Sequence, residues 1–247
     1  MTVQSGPADM PLFSCRNIDL TLGGRRILYD VGVEASAGQI LGVIGPNGAG
    51  KTSLFEVLSG RIQPQGGQVM LEGRDISGFS IQQRVRAGIG RTYQSPVVPN
   101  GLSVADVLKA ARKAFFPMLT SQQAEWASDL VHLKVPGGTL AGSLDTLQRR
   151  KLLLACLLMR RPKVLLMDEP ASGLIHAELE ELDQVLRVLA HEMQIALLVV
   201  EHRLELLAAV ADEVVVLDLG QRIASGAPEH VFEHPDVRAA YFETADA

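Results

Sequence analysis

Apolar positions along the chain follow two patterns. Short runs of continuous apolar residues, Gln39 to Ile44, Val164 to Met167, Ile195 to Val200 and Val214 to Leu217, are too short for helices and too unbroken for strands with one wet face. Such runs predict strands buried on both sides, the condition of a parallel sheet covered by helices. Between them lie longer stretches with helical spacing, including Ala177 to Met193, and the alternation itself argues for an α/β fold. Near the N-terminus, Leu12 to Leu22 and Ile27 to Val33 flank Gly23-Gly24 and predict two strands around a turn. Val69 to Leu71, followed by Glu72-Gly73, predicts another strand and turn. Asp218 to Gln221 predicts a hairpin turn between the last two strands, ahead of a helical C-terminal segment. From Ser103 to Leu158 the chain turns Ala- and Leu-rich with few β-branched runs, which predicts a helical insertion. Residues 1–11 are polar and read as a loose tail.

Composition narrows the class. The 247 residues are 47% apolar and carry a net charge of −5, which excludes a disordered chain. Twenty-eight acidic against 23 basic residues argue against a nucleic-acid partner. The clusters Arg149-Arg150-Lys151 and Arg160-Arg161 read accordingly as solvated helix faces. No apolar run approaches the roughly 20 residues that a bilayer helix needs. Cys15 and Cys156 read as small buried hydrophobes in a reducing compartment.

The strand Gln39 to Ile44 runs directly into Gly45-Pro46-Asn47-Gly48-Ala49-Gly50-Lys51-Thr52, followed by Ser53 and a helix to about Ser59. This is G-x-x-x-x-G-K-[ST] between a strand and a helix, the context that a phosphate-binding loop requires. Glycines let successive N–H groups point inward, and the helix N-terminus adds its dipole. Lys51 is expected on the β- and γ-phosphates, and the Thr52 hydroxyl on Mg²⁺. Downstream, the strand Val164 to Met167 ends in Asp168-Glu169. Asp168 is placed to hold Mg²⁺ through water, and Glu169 to orient and deprotonate an attacking water. His202 follows the strand Ile195 to Val200, so it points into the same crevice. The other five histidines, His132, His176, His191, His230 and His234, read as surface residues. Gln94, in Gly90-Arg91-Thr92-Tyr93-Gln94, can offer an oxygen to Mg²⁺ or its water.

These elements in this order resemble the nucleotide-binding subunit of an ATP-binding-cassette transporter, over roughly Phe13 to Phe242. The fold implied is a P-loop cassette: a parallel core sheet, an antiparallel β subdomain and an inserted α-helical subdomain. Residues 12–95 and 160–247 would form the nucleotide-binding core and about 96–159 the helical subdomain. The resemblance makes Gln94 the Q-loop residue, Asp168-Glu169 the Walker B pair and His202 the switch histidine. It is nearest to importers of branched-chain amino acids, urea and amides, with Glu169-Pro-Ala-Ser-Gly-Leu174 and Glu201-His202 matching their motifs. Lipopolysaccharide-export ATPases share much of the pattern and are the alternative, beside a regulatory cassette that does not transport. The implied partners are permease subunits, a second cassette and a substrate-binding protein, and the implied location is the inner face of the cell membrane.

Two motifs depart from the family. The signature Leu-Ser-Gly-Gly-Gln, which closes on the partner's ATP, falls here on Leu144-Asp145-Thr146-Leu147-Gln148. A carboxylate at Asp145 about 4 Å from a phosphate charge is repelled by about 4 kcal/mol at an effective dielectric of 20; the same aspartate is a good helix N-cap. After Gly173-Leu174, where the family carries Asp or Asn, stand Ile175 and His176. Elements that act within the chain are kept while those that act on a partner's nucleotide are altered, which implies a heterodimer with one degenerate ATP site. Leu22 stands where the family stacks an aromatic ring on adenine.

Overall fold

The computed structural model describes residues 10–242, so residues 1–9 of the expected tail lie outside it. The apolar runs become the inner strands of a six-stranded sheet ordered β10-β9-β3-β8-β7-β6. These are β3 (Ile40–Ile44), β6 (Ile89–Arg91), β7 (Val164–Asp168), β8 (Ala196–Val200), β9 (Glu213–Asp218) and β10 (Gln221–Gly226). All neighbours pair in parallel except β9 and β10, whose antiparallel pairing is the expected hairpin.

Successive side chains leave a strand on opposite faces, and here both faces are dry. Ile40, Ile44, Leu165, Met167, Leu197 and Val199 enter one core. Their neighbours Leu41, Val43, Leu166, Leu198 and Val200 enter the other. That is why the runs show no alternation. The first core is covered by α5 (Thr146–Leu158), α6 (His176–Arg187) and α7 (Leu204–Val210). The second is closed by α1 (Lys51–Leu58) and an antiparallel sheet ordered β2-β1-β4-β5. Its strands are β1 (Phe13–Leu22), β2 (Arg25–Ala35), β4 (Gly66–Leu71) and β5 (Arg74–Asp75).

Between β6 and β7, α3 (Val104–Lys113), α4 (Ser121–Leu130) and α5 follow one another, with Val98, Val104, Val107, Ala141, Leu144 and Leu152 in a small core of their own. Three short elements were not foreseen, the two-residue β5 among them. Helix α2 (Ile81–Ala87) is opened by a capping box between Ser80 and Gln83, and β6 is only three residues long. The expected helix to Met193 leaves regular α geometry after Arg187 and finishes in a wider π turn, Val188–Glu192. Helices α8 (Pro228–Phe232) and α9 (Pro235–Phe242) end the described chain.

The register of the central ladder places the chemistry. Val43 pairs with Val200, and Val200 with Asp168. Strands β8 and β7 therefore end at one level and β3 one residue beyond, and the loops beginning at Gly45, Glu201 and Glu169 leave the sheet side by side. Among the described residues no helix is long and apolar enough to cross a membrane.

Candidate functional site

At this edge lies a cleft of about 620 Å³, lined on one side by Asn47, Gly48, Ala49, Gly50, Lys51, Thr52 and Ser53 and on the other by Glu169 and His202. Gly45 opens the loop at φ +154°, and a Cβ there would lie 2.1 Å from the Leu217 carbonyl oxygen, so only glycine fits. Gly50, the N-cap of α1, stands at φ +102°. The amino end of α1 thus faces the cleft, a site suited to phosphate. Lys51 is buried, and its ammonium donates to the carbonyls of Gly45 at 2.6 Å and Pro46 at 3.0 Å, holding the side chain across the loop. Burial pushes the Lys51 pKa down, and Glu169 and Asp168 draw it back up.

Opposite the loop, three expected residues meet. Gln94 Nε2 donates to Glu169 Oε2 at 2.6 Å, and His202 Nε2 lies 3.1 Å from Glu169 Oε1. Glu169 sits at φ +46°, in the left-handed region, and its backbone N–H donates to the Val200 carbonyl at 2.8 Å. Such strain in a non-glycine residue marks a position that its surroundings over-determine. A carboxylate held by a histidine and an amide can orient water and take its proton. The amide of Gln94 points its nitrogen at Glu169 and leaves its oxygen as the group for a cation.

Asp168 is buried, which raises its carboxyl pKa, and the Arg91 guanidinium pulls the value back. Arg91, its side chain 6% exposed, reaches Asp168 Oδ2 at 3.5 Å and Glu56 Oε1 at 3.0 Å. Sequence reasoning did not single out Arg91. It stood there only as a member of Arg91-Thr92-Tyr93-Gln94, at the end of a strand too short to foresee.

Leu22 is 40% exposed at the end of β1 and pairs across the hairpin with Arg25, which lines the cleft. The wall beyond the phosphate loop is built by Arg25, Arg26, Ile27, Tyr29 and Leu219, with the Arg26 guanidinium 4.4 Å from the centre of the Tyr29 ring.

One expectation changes: Arg149-Arg150-Lys151 is not a solvated face. Arg150 is 9% exposed and bonds backbone carbonyls, Lys151 is buried and pairs with Glu181, and Arg149 donates to the carbonyls of Leu144 and Gly142. These charges close the chain's own polar groups. The five remaining histidines are all exposed, as expected.

Asp145 is the N-cap of α5: its Oδ1 accepts the Gln148 N–H at 2.7 Å, while Gln148 Oε1 accepts the Asp145 N–H at 3.3 Å. This reciprocal pairing occupies donors at the helix start that would otherwise face outward. Leu147 is buried beneath it, and Ile175 stands 68% exposed ahead of α6.

The comparisons with known proteins agree with this geometry. A family model described as "ABC transporter" matches residues 28–172. The chain is 30% identical to the high-affinity branched-chain amino acid transport ATP-binding protein BraF of Pseudomonas aeruginosa, over 95% of this chain and 99% of BraF. It is 29% identical to the lipopolysaccharide export system ATP-binding protein LptB of Acidithiobacillus ferridurans, over 88% and 90% of the two chains. Among solved structures, the ADP conformation of an ATP-binding cassette of an ABC transporter superposes with a TM-score of 0.86 at 25% identity, covering 94% of this chain and 98% of that one. The chain therefore belongs to the ABC transporter family, as one of its ATP-hydrolysing cassettes.

Proposed function

We propose that this chain is the ATPase subunit of an importer of amino acids, urea or amides, and that it works against a different cassette. The observation that carries the reading is a contrast within one molecule. Glu169, Gln94 and His202 converge opposite Lys51, whereas the helix start that should cap a partner's nucleotide is filled by the Asp145–Gln148 box. Lys51 and the backbone of Asn47 to Ser53 bind the phosphates, and Glu169, held by His202, draws the proton from the attacking water.

The donor set suits Mg²⁺. Thr52 supplies a hydroxyl, Asp168 a carboxylate and Gln94 an amide oxygen, and no group of three or more His, Cys, Asp or Glu able to hold a metal occurs among the described residues. A hard cation shared with substrate phosphates needs no more than one or two protein carboxylates. Thr52, Asp168 and Gln94 would hold it, and when bound it neutralises charge developing on the phosphates.

Permease docking is supported by Tyr93, Val97, Leu102, Phe116, Met118 and Leu140, exposed apolar side chains on the segment after β6 and on the helical insertion. In this reading the subunit works on the inner face of the membrane, with a substrate-binding protein on the other side. The test is to purify the complex from membranes and count trapped nucleotides per cassette pair. One hydrolysing site per pair supports the asymmetric reading; two equal sites, or a pair of identical chains with full turnover, overturn it.

A further inference from the structure

Two buried charges that touch neither the phosphate loop nor the cleft grip the same short segment of backbone. Glu201, 2% exposed at the end of β8, accepts the Ala171 N–H through Oε1 at 2.6 Å and the His202 N–H through Oε2 at 3.2 Å. From the other side Arg150, on α5, donates to the Pro170 carbonyl and, at 2.6 Å, to the Ser172 carbonyl. Its second guanidinium nitrogen also lies 3.5 Å from the Gln94 carbonyl. Three consecutive residues, Pro170 to Ser172, are thus held by a carboxylate on the central amide and a guanidinium on the two flanking carbonyls. The planar fork of arginine suits two acceptors at once, which an ammonium does not.

This segment follows Glu169, whose own N–H is tied to Val200 and whose backbone is left-handed. The side chain's direction is therefore fixed from both ends. Glu201 is continuous with His202, and Arg150 reaches the backbone of Gln94. One charge pair consequently links the carriers of all three groups that meet at the Glu169 carboxylate.

We propose that Arg150 and Glu201 are positioning residues that hold Glu169 against His202 and Gln94, and that Arg150 transmits the placement of α5 to this turn. The proposal rests on Glu169 being the hydrolytic carboxylate. It gives the helix behind the altered signature a role inside its own chain.

The test uses the complex purified from membranes, with steady-state ATPase activity and nucleotide affinity measured for Glu201→Gln, Arg150→Lys and Glu169→Gln. Displacing a reacting group by about 1 Å costs up to about 100-fold in rate. Glu201→Gln and Arg150→Lys should therefore lower kcat by about 10- to 100-fold while nucleotide Kd changes less than about twofold, and should change the kcat–pH profile. Leu189→Ala, a core substitution remote from the turn, serves as the control for lost stability. At equal loss of Tm it should keep both kcat and the profile.

Wild-type kcat and pH profile in Arg150→Lys and Glu201→Gln, with Glu169→Gln inactive, would overturn the clamp alone. An active Glu169→Gln would overturn the reading beneath it. If Glu201→Gln does not fold, Arg150→Lys, which keeps the charge and loses only the fork, decides the matter. An equal loss of kcat in Leu189→Ala would also count against it.

Discussion

Removing Arg91 tests the electrostatic reading of the site most directly. Its guanidinium is held 3.0 Å from Glu56 and 3.5 Å from Asp168 and donates to Ser59 Oγ at 2.9 Å. Arg91→Met keeps much of the stem's volume, leaves the buried Asp168 without its ion-pair partner, and leaves Glu56 only the half-exposed Arg61 at 3.2 Å. Breaking a buried ion pair from one side costs about 3–5 kcal/mol. Glu56 retains some access to water, so the lower end, about 3 kcal/mol, is expected.

The pH dependence has a definite sign. The folded pKa of Asp168 lies above its ordinary value because of burial, so in the window between the two the folded state binds more protons than the unfolded one. Stability from this group falls as pH rises through that window, and the full cost stands above it. Without Arg91 the folded value rises further and the window widens. The gap between variant and wild type should therefore grow from pH 5 to pH 8. Urea unfolding followed by circular dichroism measures it: at a slope of about 2 kcal/mol/M, the midpoint at pH 8 falls by about 1.5 M. A midpoint shift below about 0.3 M, or a gap that shrinks as pH rises, refutes the argument.

Further outcomes follow from the same geometry. Lys51→Ala should weaken ATP binding by about 10- to 150-fold, the value of a charge-assisted bond of about 1.5–3 kcal/mol, in a filter-binding or calorimetric titration. Glu169→Gln should bind ATP as wild type yet lose about 100- to 10,000-fold in turnover. Asp145→Ala should cost about 1 kcal/mol of stability through the lost N-cap, and Asp145→Ser much less, by thermal denaturation. Tyr29→Ala should weaken nucleotide binding by about 2- to 12-fold through the lost ring stacking on the base, in the same titration as Lys51→Ala. Burial pushes the Cys15 and Cys156 thiols up to about 12 and 11, so a thiolate-selective reagent at pH 8 should label neither until the chain unfolds.

Most of the cassette was legible because its chemistry is local. The phosphate loop is written in eight adjacent residues whose glycines have no other use, and the strands that present Asp168 and His202 are apolar runs with charged ends. That His202 opens into the crevice beside Glu169 was legible from the strand it follows, whereas the Gln94 amide donating to the same carboxylate was not, since Gln94 was read as a group for Mg²⁺ or its water. Arg91, Arg150 and Glu201 escaped for a common reason. Each is a charge beside an apolar run, where solvent exposure is the ordinary outcome, and only the folded chain shows that backbone carbonyls, amides or carboxylates wait for them. Helix α2 and β6 are too short for their periodicity to stand out.

The fixed register of β3, β8 and β7 constrains how such a protein can change. Each strand can trade one aliphatic side chain for another at the cost of some packing, since neither core reads more than shape. Dropping or adding a single residue is different: it would carry that strand's loop about 3.3 Å along its axis and turn every following side chain to the opposite face. The three loops would then no longer open onto a common space. Among descendants of this chain, the spelling of these strands should therefore wander freely while their lengths stay fixed, and gaps should collect instead in the connections around α3 and α4, where nothing has to arrive in step.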